Sequence, residues 1–181
     1  MYKRFILLQL GFLLVFDQHI LETNAEKCIV LNEHVEEIAR CCRYDPFCSH
    51  EAEEMCNREL NPPRTEMVMD SLNFTVCFLD CAYRHMGYLK ANNEIDVQAY
   101  VAFLTGFDKD YQLMISNAIA KCAEMQSEMK PNVDKMGLKC NMFAVLFQDC
   151  ITIFTFRNCP AARWTNSKIC NELKMGVPLC T

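Results

Sequence analysis

Thirteen cysteines constrain the fold of this 181-residue chain more than any other feature of its sequence. All of them follow an apolar run from Phe5 to Phe16, which has a short basic start and is too short to span a bilayer. Thr23 and Ala25 complete the small-x-small pattern of a signal-peptide cleavage site. We therefore expect residues 1–25 to be a signal peptide, and residues 26–181 to form one secreted, extracellular domain.

In an oxidising compartment, so many cysteines indicate disulfide bonds and not metal-bound thiolates. They make up about 8% of the residues that follow the predicted cleavage site, close to the range of disulfide scaffolds. Because thirteen is an odd number, at least one cysteine must lack a partner within the chain. We expect it to be Cys28, which lies nearest the new N-terminus.

The charge pattern excludes some classes of partner. The formal net charge is −5, and no stripe of Lys and Arg indicates nucleic-acid binding. After the predicted signal peptide, no stretch approaches the roughly 18 apolar residues of a membrane span. We therefore expect neither nucleic-acid binding nor membrane insertion, and nothing in the sequence calls for a cofactor.

Apolar residues recur at helical spacing, and alternating strand patterns are not evident. The longest predicted helices cover 65–86, with Thr65 as N-cap and Gly87 as its end, 110–125, which Pro131 should end, and 141–156. The last is apolar on every side, so it should be buried nearly all round. Shorter helices fit Glu33–Cys41, Pro46–Arg58, Asp96–Leu104 and Trp164–Lys174. The sequence thus predicts an all-α, disulfide-stapled bundle of six or more helices.

The stretch CCRYDPFC at 41–48 has the cysteine spacing of the active-site helix of phospholipases A2. In those enzymes a histidine activates water and the next residue, an aspartate, helps to hold calcium. Here Asp45 and Pro46 stand at those two positions, and no glycine-rich calcium loop precedes them. Without a general base there is no activated water, so we expect no catalytic residues and no enzyme activity.

The later cysteines carry a more specific signal. Gaps of 3, 40, 17, 9 and 8 residues separate Cys77, Cys81, Cys122, Cys140, Cys150 and Cys159, and Pro160 follows Cys159 at once. This ladder, with the segment CFLDCAYRHMGYLKANNEIDVQAYVAFL, resembles the insect odorant-binding proteins, and in particular their Plus-C subgroup. That subgroup has extra cysteines and a proline directly after the sixth cysteine. The resemblance covers roughly residues 41–180.

The resemblance implies a set of bridges. The family joins its second cysteine to its fifth and its fourth to its sixth, which implies Cys77–Cys150 and Cys122–Cys159. The third, Cys81, should bond a first cysteine near the N-terminus, for which Cys28, Cys41, Cys42, Cys48 and Cys56 all compete. Cys41 and Cys42 should have different partners, because a vicinal bridge is strained. The additional Cys140, Cys170 and Cys180 should pin a C-terminal extension, residues 160–181, to the domain.

The function that the resemblance implies is non-covalent carriage of a small hydrophobic molecule, such as an odorant or pheromone, in a pocket with an apolar lining. The candidate lining residues are Phe78, Tyr100, Phe103, Leu104, Met114, Ile115, Phe143, Phe147, Phe154 and Trp164. An odorant receptor or a second copy of the chain are further candidate partners. The alternative is a secreted helical protein that acts through protein–protein contacts and has no open pocket.

One histidine shares a predicted helix face with two cysteines. Cys77, Cys81 and His85 follow one another at four-residue intervals, a spacing that could suit zinc. Because both sulfur atoms are expected in disulfides, we expect no metal site there. His85 is then a helix-end histidine or a group that changes charge near pH 6.5.

Overall fold

Helices account for most of the chain that the computed structural model describes, residues 28–60, 70–136 and 138–180. Within these ranges, the α-helices are α1 Leu31–Ile38, α2 His50–Leu60, α3 Asp70–His85, α4 Val97–Phe103, α5 Lys109–Glu124, α6 Gln126–Lys135, α7 Phe143–Arg157 and α8 Lys168–Lys174. Short 3₁₀ turns occupy Leu104–Gly106 and Ala161–Arg163. The protein is an all-α fold held together by disulfides, as the sequence predicts.

The described residues form two compact units. The terminal unit contains residues 28–44 and 152–180, and the central unit contains Asp45–Ile151. The boundary between them falls within α7, after Ile151.

In the terminal unit, the two ends of the described chain pair with each other. Strand β1, Ile29–Val30, lies parallel to β2, Leu179–Cys180, with Ile29 opposite Leu179. Helix α1 packs against α8 over a small core that includes Ile38, Leu173 and Phe156. Three nested bridges join the N-terminal and C-terminal segments: Cys28–Cys180, Cys41–Cys170 and Cys42–Cys159.

In the central unit, α2 packs against α3 and α4 packs against α5. The Cys56–Cys81 bridge joins α2 to α3, and the Cys122–Cys150 bridge joins α5 to α7. Cys77–Cys140 joins α3 to the segment before α7. Each of these loops overlaps the next along the chain, and no bridge in this unit encloses another.

Helix ends follow local sequence chemistry. The Asp96 and Asp108 side chains accept hydrogen bonds from the backbone N–H groups of Ala99 at 3.0 Å and Tyr111 at 2.9 Å, which begins α4 and α5. Gly87, at φ +73°, lies two residues after the end of α3 at His85, where a residue that favours the left-handed region is expected. The predicted cap at Thr65 lies outside the described residues.

Two local predictions were wrong. Pro131 lies inside α6, because α5 has already ended at Glu124 and the chain begins a new helix at Gln126. A proline within a helix removes one N–H donor, and this short helix tolerates that loss. Residues 41–49 are not helical, so the predicted helices Glu33–Cys41 and Pro46–Arg58 reach too far towards each other, and CCRYDPFC connects α1 to α2. The prediction for α7 was right, since every residue from Phe143 to Phe156 is buried or half-buried.

The predicted bridges Cys77–Cys150 and Cys122–Cys159 were wrong. A cysteine can join only one bridge, and Cys150 is bonded to Cys122, with a distance of 5.9 Å between their Cα atoms. Cys77 therefore bonds Cys140, at 5.0 Å, and both separations suit a disulfide. As a result, Cys140 does not pin the C-terminal extension, whereas Cys170 and Cys180 do.

Of three other predictions for the cysteines, two were right and one was wrong. Cys81 bonds an N-terminal cysteine, Cys56, as expected. The neighbours Cys41 and Cys42 have different partners, also as expected. Cys28 is not the free thiol, because β1 and β2 bring it within 5.8 Å of Cys180 between Cα atoms. The described residues include all thirteen cysteines, and the unpaired one among them is Cys48.

Candidate ligand-binding site

Tyr83, on α3, lies at the centre of an aromatic cluster in the central unit. Its side chain is fully buried, and its ring meets three others edge to face. The centroid distances are 5.5 Å to Tyr88, 5.8 Å to Tyr100 and 6.3 Å to Phe147. Edge-to-face rings at such distances attract each other beyond the effect of buried area. We call these four residues the aromatic cluster.

The backbone after α3 places Tyr88 beside Tyr83. The chain reverses at Gly87, and the backbone N–H of Tyr88 then donates to the Tyr83 carbonyl oxygen at 2.8 Å. The Tyr88 carbonyl oxygen accepts from the backbone N–H of Asp96 at 2.7 Å, just before α4 begins. Tyr100, one turn into α4, stacks flat on Tyr88 with a centroid distance of 4.1 Å and an interplanar angle of 4°.

Gln148, on α7, gives this apolar cluster a polar centre. Its Oε1 atom accepts hydrogen bonds from the Tyr83 hydroxyl at 2.6 Å and from the Tyr100 hydroxyl at 3.0 Å. Burial, followed by the influence of Tyr100, raises the pKa of Tyr83 well above its ordinary value. The Tyr83 phenol therefore keeps its proton at physiological pH and acts as a donor.

The structure brings some of the predicted lining residues together. Tyr100 and Phe147 belong to the aromatic cluster. The ring centroid of Phe143 lies 5.9 Å from that of Phe147, and the ring centroid of Phe103 lies 6.2 Å from that of Tyr88. The remaining candidates of the central unit are buried: Phe78, which stacks on Phe74, and Leu104, Met114 and Ile115.

Two predicted lining residues belong to the terminal unit. Phe154 is half-buried there, and the half-buried Trp164 packs edge to face against Phe156 at 5.5 Å. The assignment of all ten residues to a ligand pocket stays a prediction.

Sequence reasoning missed Tyr83, Tyr88 and Gln148. The usable signal was Gln148, an uncharged polar residue within the most apolar helix of the chain. A buried amide needs hydrogen-bond partners, and phenol hydroxyls supply them in an aromatic core. The pattern could not identify which tyrosines those were.

Cys48 carries the one free thiol of the described chain and is 7% exposed. Burial, with a smaller effect from the Glu53 carboxylate, raises the pKa of the Cys48 thiol to about 12. At neutral pH this thiol is therefore protonated and unreactive, since the thiolate is the nucleophile.

We expect iodoacetamide to leave the folded protein unmodified and to add one equivalent, at Cys48, when the chain is unfolded in an excess of the reagent that caps the thiol before it can exchange with the bridges. Because the folded chain holds this proton more tightly than a thiol with the ordinary pKa of 9.0, stability should fall as pH rises above 9.0 towards about 12. The slope should reach at most about 1.4 kcal/mol per pH unit. Melting temperatures from rapid scans between about pH 8 and 9, where tyrosine is still protonated and the bridges have little time to exchange, should fall more with pH in the wild type than in Cys48→Ala. Alkylation of another residue instead would refute the assignment.

His85 lies beside a disulfide. Its Nε2 atom is 3.2 Å from Glu59 Oε1, and the Cys81 sulfur is 3.5 Å from Glu59 Oε2. Potential donor atoms of Cys56, Cys81 and His85 lie within 4.8 Å of one another. Because the two sulfur atoms are bonded to each other, the cysteines serve here as a link between α2 and α3 and not as thiolate ligands.

The CCRYDPFC stretch divides its residues among structural roles. Cys41 and Cys42 form bridges, Cys48 is the buried free thiol, and the backbone N–H of Asp45 donates to the Tyr111 hydroxyl at 3.0 Å.

Comparison with protein-family models and with curated protein sequences gave no match to this chain. Within the described ranges, none of the helices has both the length and the apolar character required to cross a membrane.

Proposed function

We propose that the protein is a secreted carrier that binds a small hydrophobic molecule non-covalently in its central unit, as odorant-binding proteins do. One observation carries this proposal, the order in which the central unit pairs its six bridged cysteines. In chain order, the first bonds the third, the second bonds the fifth, and the fourth bonds the sixth.

The resemblance to the odorant-binding family implies the same order of pairing, but the cysteines that take the fifth and sixth positions each lie one cysteine earlier in the chain. Cys140 takes the fifth position and Cys150 the sixth, where the sequence suggested Cys150 and Cys159. Six cysteines allow about 15 pairings, so agreement by coincidence is uncommon. In this register Pro160 follows a cysteine beyond the sixth, and it no longer marks the Plus-C subgroup.

The aromatic cluster supports the same function. Small-molecule sites combine an apolar, aromatic lining with a few polar groups that orient the ligand. Tyr83, Tyr100 and Gln148 supply such groups among buried rings. Desolvation of a ligand of about ten carbons, after the costs of association, gives an affinity of about 1 μM.

Secretion is supported by the six disulfides of the described residues, because such bonds persist mainly in oxidising compartments. The proposed signal peptide, residues 1–25, lies outside the described residues.

The alternative, a binding partner of other proteins with a filled core, is favoured by a different observation. The rings of the aromatic cluster are almost fully buried against one another, as in an ordinary core. Leu113 on α5 is 65% exposed, an apolar side chain that a protein partner could cover.

Phe147→Trp separates the two functions. We expect the wild type to bind a fluorescent apolar probe, and the variant to bind it about tenfold more weakly with little change in melting temperature, because the larger ring occupies ligand space. In a filled core, the same change should cost about 1–3 kcal/mol of stability through overpacking.

Leu113→Trp is the matched control, because it also introduces an indole ring but on an exposed surface. It should change neither probe affinity nor melting temperature. Unchanged probe affinity in Phe147→Trp, together with a large fall in its melting temperature, would favour the protein-binding alternative.

A further inference from the structure

We propose that the Tyr88 hydroxyl recognises a neutral oxygen atom of the ligand, so that the protein selects ketones, esters or alcohols over hydrocarbons of the same shape. This inference rests on the proposed carrier function and names the chemical class that the carrier takes.

The three tyrosine hydroxyls of the aromatic cluster differ in one respect. Those of Tyr83 and Tyr100 donate to Gln148. The Tyr88 hydroxyl is equally buried, yet it has no hydrogen-bond partner among residues 28–60, 70–136 and 138–180. Leaving such a group without a partner is unfavourable, and buried hydroxyls in folded proteins are usually satisfied. A ligand oxygen would remove that cost.

The position of this hydroxyl within the site is fixed by its ring. The Tyr88 ring stacks on the Tyr100 ring with a centroid distance of 4.1 Å. It meets the rings of Tyr83 and Phe103 edge to face, with centroid distances of 5.5 Å and 6.2 Å. The Tyr88 backbone makes two short hydrogen bonds: its N–H donates to the Tyr83 carbonyl oxygen, and its carbonyl oxygen accepts from the Asp96 N–H. The hydroxyl is therefore held in place before a ligand arrives, which lowers the entropy cost of using it.

The chemistry of the surroundings selects a neutral acceptor. Burial, followed by the influence of Tyr100 and then of the Cys48 thiol, raises the pKa of Tyr88. The phenol thus keeps its proton and can donate a hydrogen bond to a carbonyl, ether or hydroxyl oxygen. The rings in contact with Tyr88 are all uncharged. A carboxylate would be buried beside them without a counter-charge, at a high cost.

A pair of ligands that differ only in this oxygen tests the inference. Nonan-2-one and 2-methylnon-1-ene have nearly the same shape, with C=O in one and C=CH₂ in the other. In displacement of a fluorescent apolar probe, we expect the ratio of ketone affinity to alkene affinity to be about tenfold higher in the wild type than in Tyr88→Phe, the effect of one hydrogen bond. Comparing the ratios cancels the greater cost of removing the ketone from water. Tyr88→Phe should melt no lower than the wild type, because it removes a hydroxyl that had no partner.

Tyr100→Phe is the matched control. It removes a hydroxyl that is already bonded to Gln148, so it should lower the melting temperature and keep the wild-type ratio of ketone to alkene affinity. A ratio that is the same in the wild type and in Tyr88→Phe would overturn the inference and leave the carrier function intact. If the wild type binds neither ligand and no probe, the carrier function and this inference both fail.

A second measurement needs no variant. The infrared carbonyl stretch of nonan-2-one bound to the wild type should lie at lower frequency than in hexane, as for a ketone bonded to a phenol. A bound ketone with its hexane frequency would contradict the inference even if Tyr88→Phe does not fold.

Discussion

Tyr83→Ala should lower the free energy of unfolding by about 3–5 kcal/mol, the range for loss of a large buried aromatic side chain. The ring lies edge to face against three rings and tilted against that of Phe47, and its removal leaves a cavity at the centre of the aromatic cluster. It also leaves Gln148 with one phenol donor in place of two. Urea unfolding at about pH 5 measures the stability change. Probe binding should be lost as well, since the lining residues lose their common support.

Tyr83→Phe is the matched control for that variant. It keeps the ring contacts and removes the hydroxyl, with its 2.6 Å hydrogen bond to Gln148, so it should cost about 1–2 kcal/mol. If the alanine and phenylalanine variants were equally stable, the ring contacts would contribute little and the cluster could not be the centre of this unit.

Loss of the Cys122–Cys150 bridge should have the second largest effect. Replacing both cysteines with alanine should lower the free energy of unfolding by about 3 kcal/mol, because the unfolded chain is no longer closed over 28 residues. Cys77–Cys140 closes only part of this loop, and the three bridges of the terminal unit close loops of 117 residues or more, so most of the effect should remain. Probe binding should weaken too, since the bridge joins α5 to α7, which carries Phe147 and Gln148.

Cys48→Ala is the control for the chemistry of that substitution. It removes a buried sulfur without opening a bridge, and should therefore cost about 1 kcal/mol or less at about pH 5. Equal costs for this variant and for the Cys122→Ala, Cys150→Ala pair would show that the bridge adds nothing beyond the packing of its sulfur atoms.

The helices could be predicted because their pattern is local. Apolar residues at helical spacing identified α3, α5 and α7, and the apolar residues on every side of α7 predicted its burial. The pair of β1 and β2 could not be predicted, since two-residue strands are too short to show any alternation and their partners lie 150 residues apart.

The bridges show where sequence spacing stops being informative. Both bridges that the resemblance implied were wrong by one cysteine, because Cys77 bonds Cys140 in place of Cys150 and Cys122 bonds Cys150 in place of Cys159. Cys140 precedes α7 and Cys150 lies within it, and spacing does not tell which sulfur atom faces α5. Only the packing of the helices decides that.

The candidate site was predictable only in part, for a related reason. Tyr100 and Phe147 stand out as apolar positions on helices. The bonds that organise the cluster join Gln148 to tyrosines 65 and 48 residues away, and no periodic pattern encodes such distances.

The buried Cys48 thiol determines what happens after unfolding. A free thiolate attacks disulfides and exchanges partners with them, and this molecule carries six possible targets together with its own attacking group. While the chain is folded, burial keeps the thiol protonated and away from solvent. Once the chain opens near neutral pH, the thiol can begin to reshuffle the bridges, and the native pairing is lost. The working lifetime of this protein at neutral pH is therefore set by how fast it opens, and no longer by an equilibrium with a recoverable unfolded state.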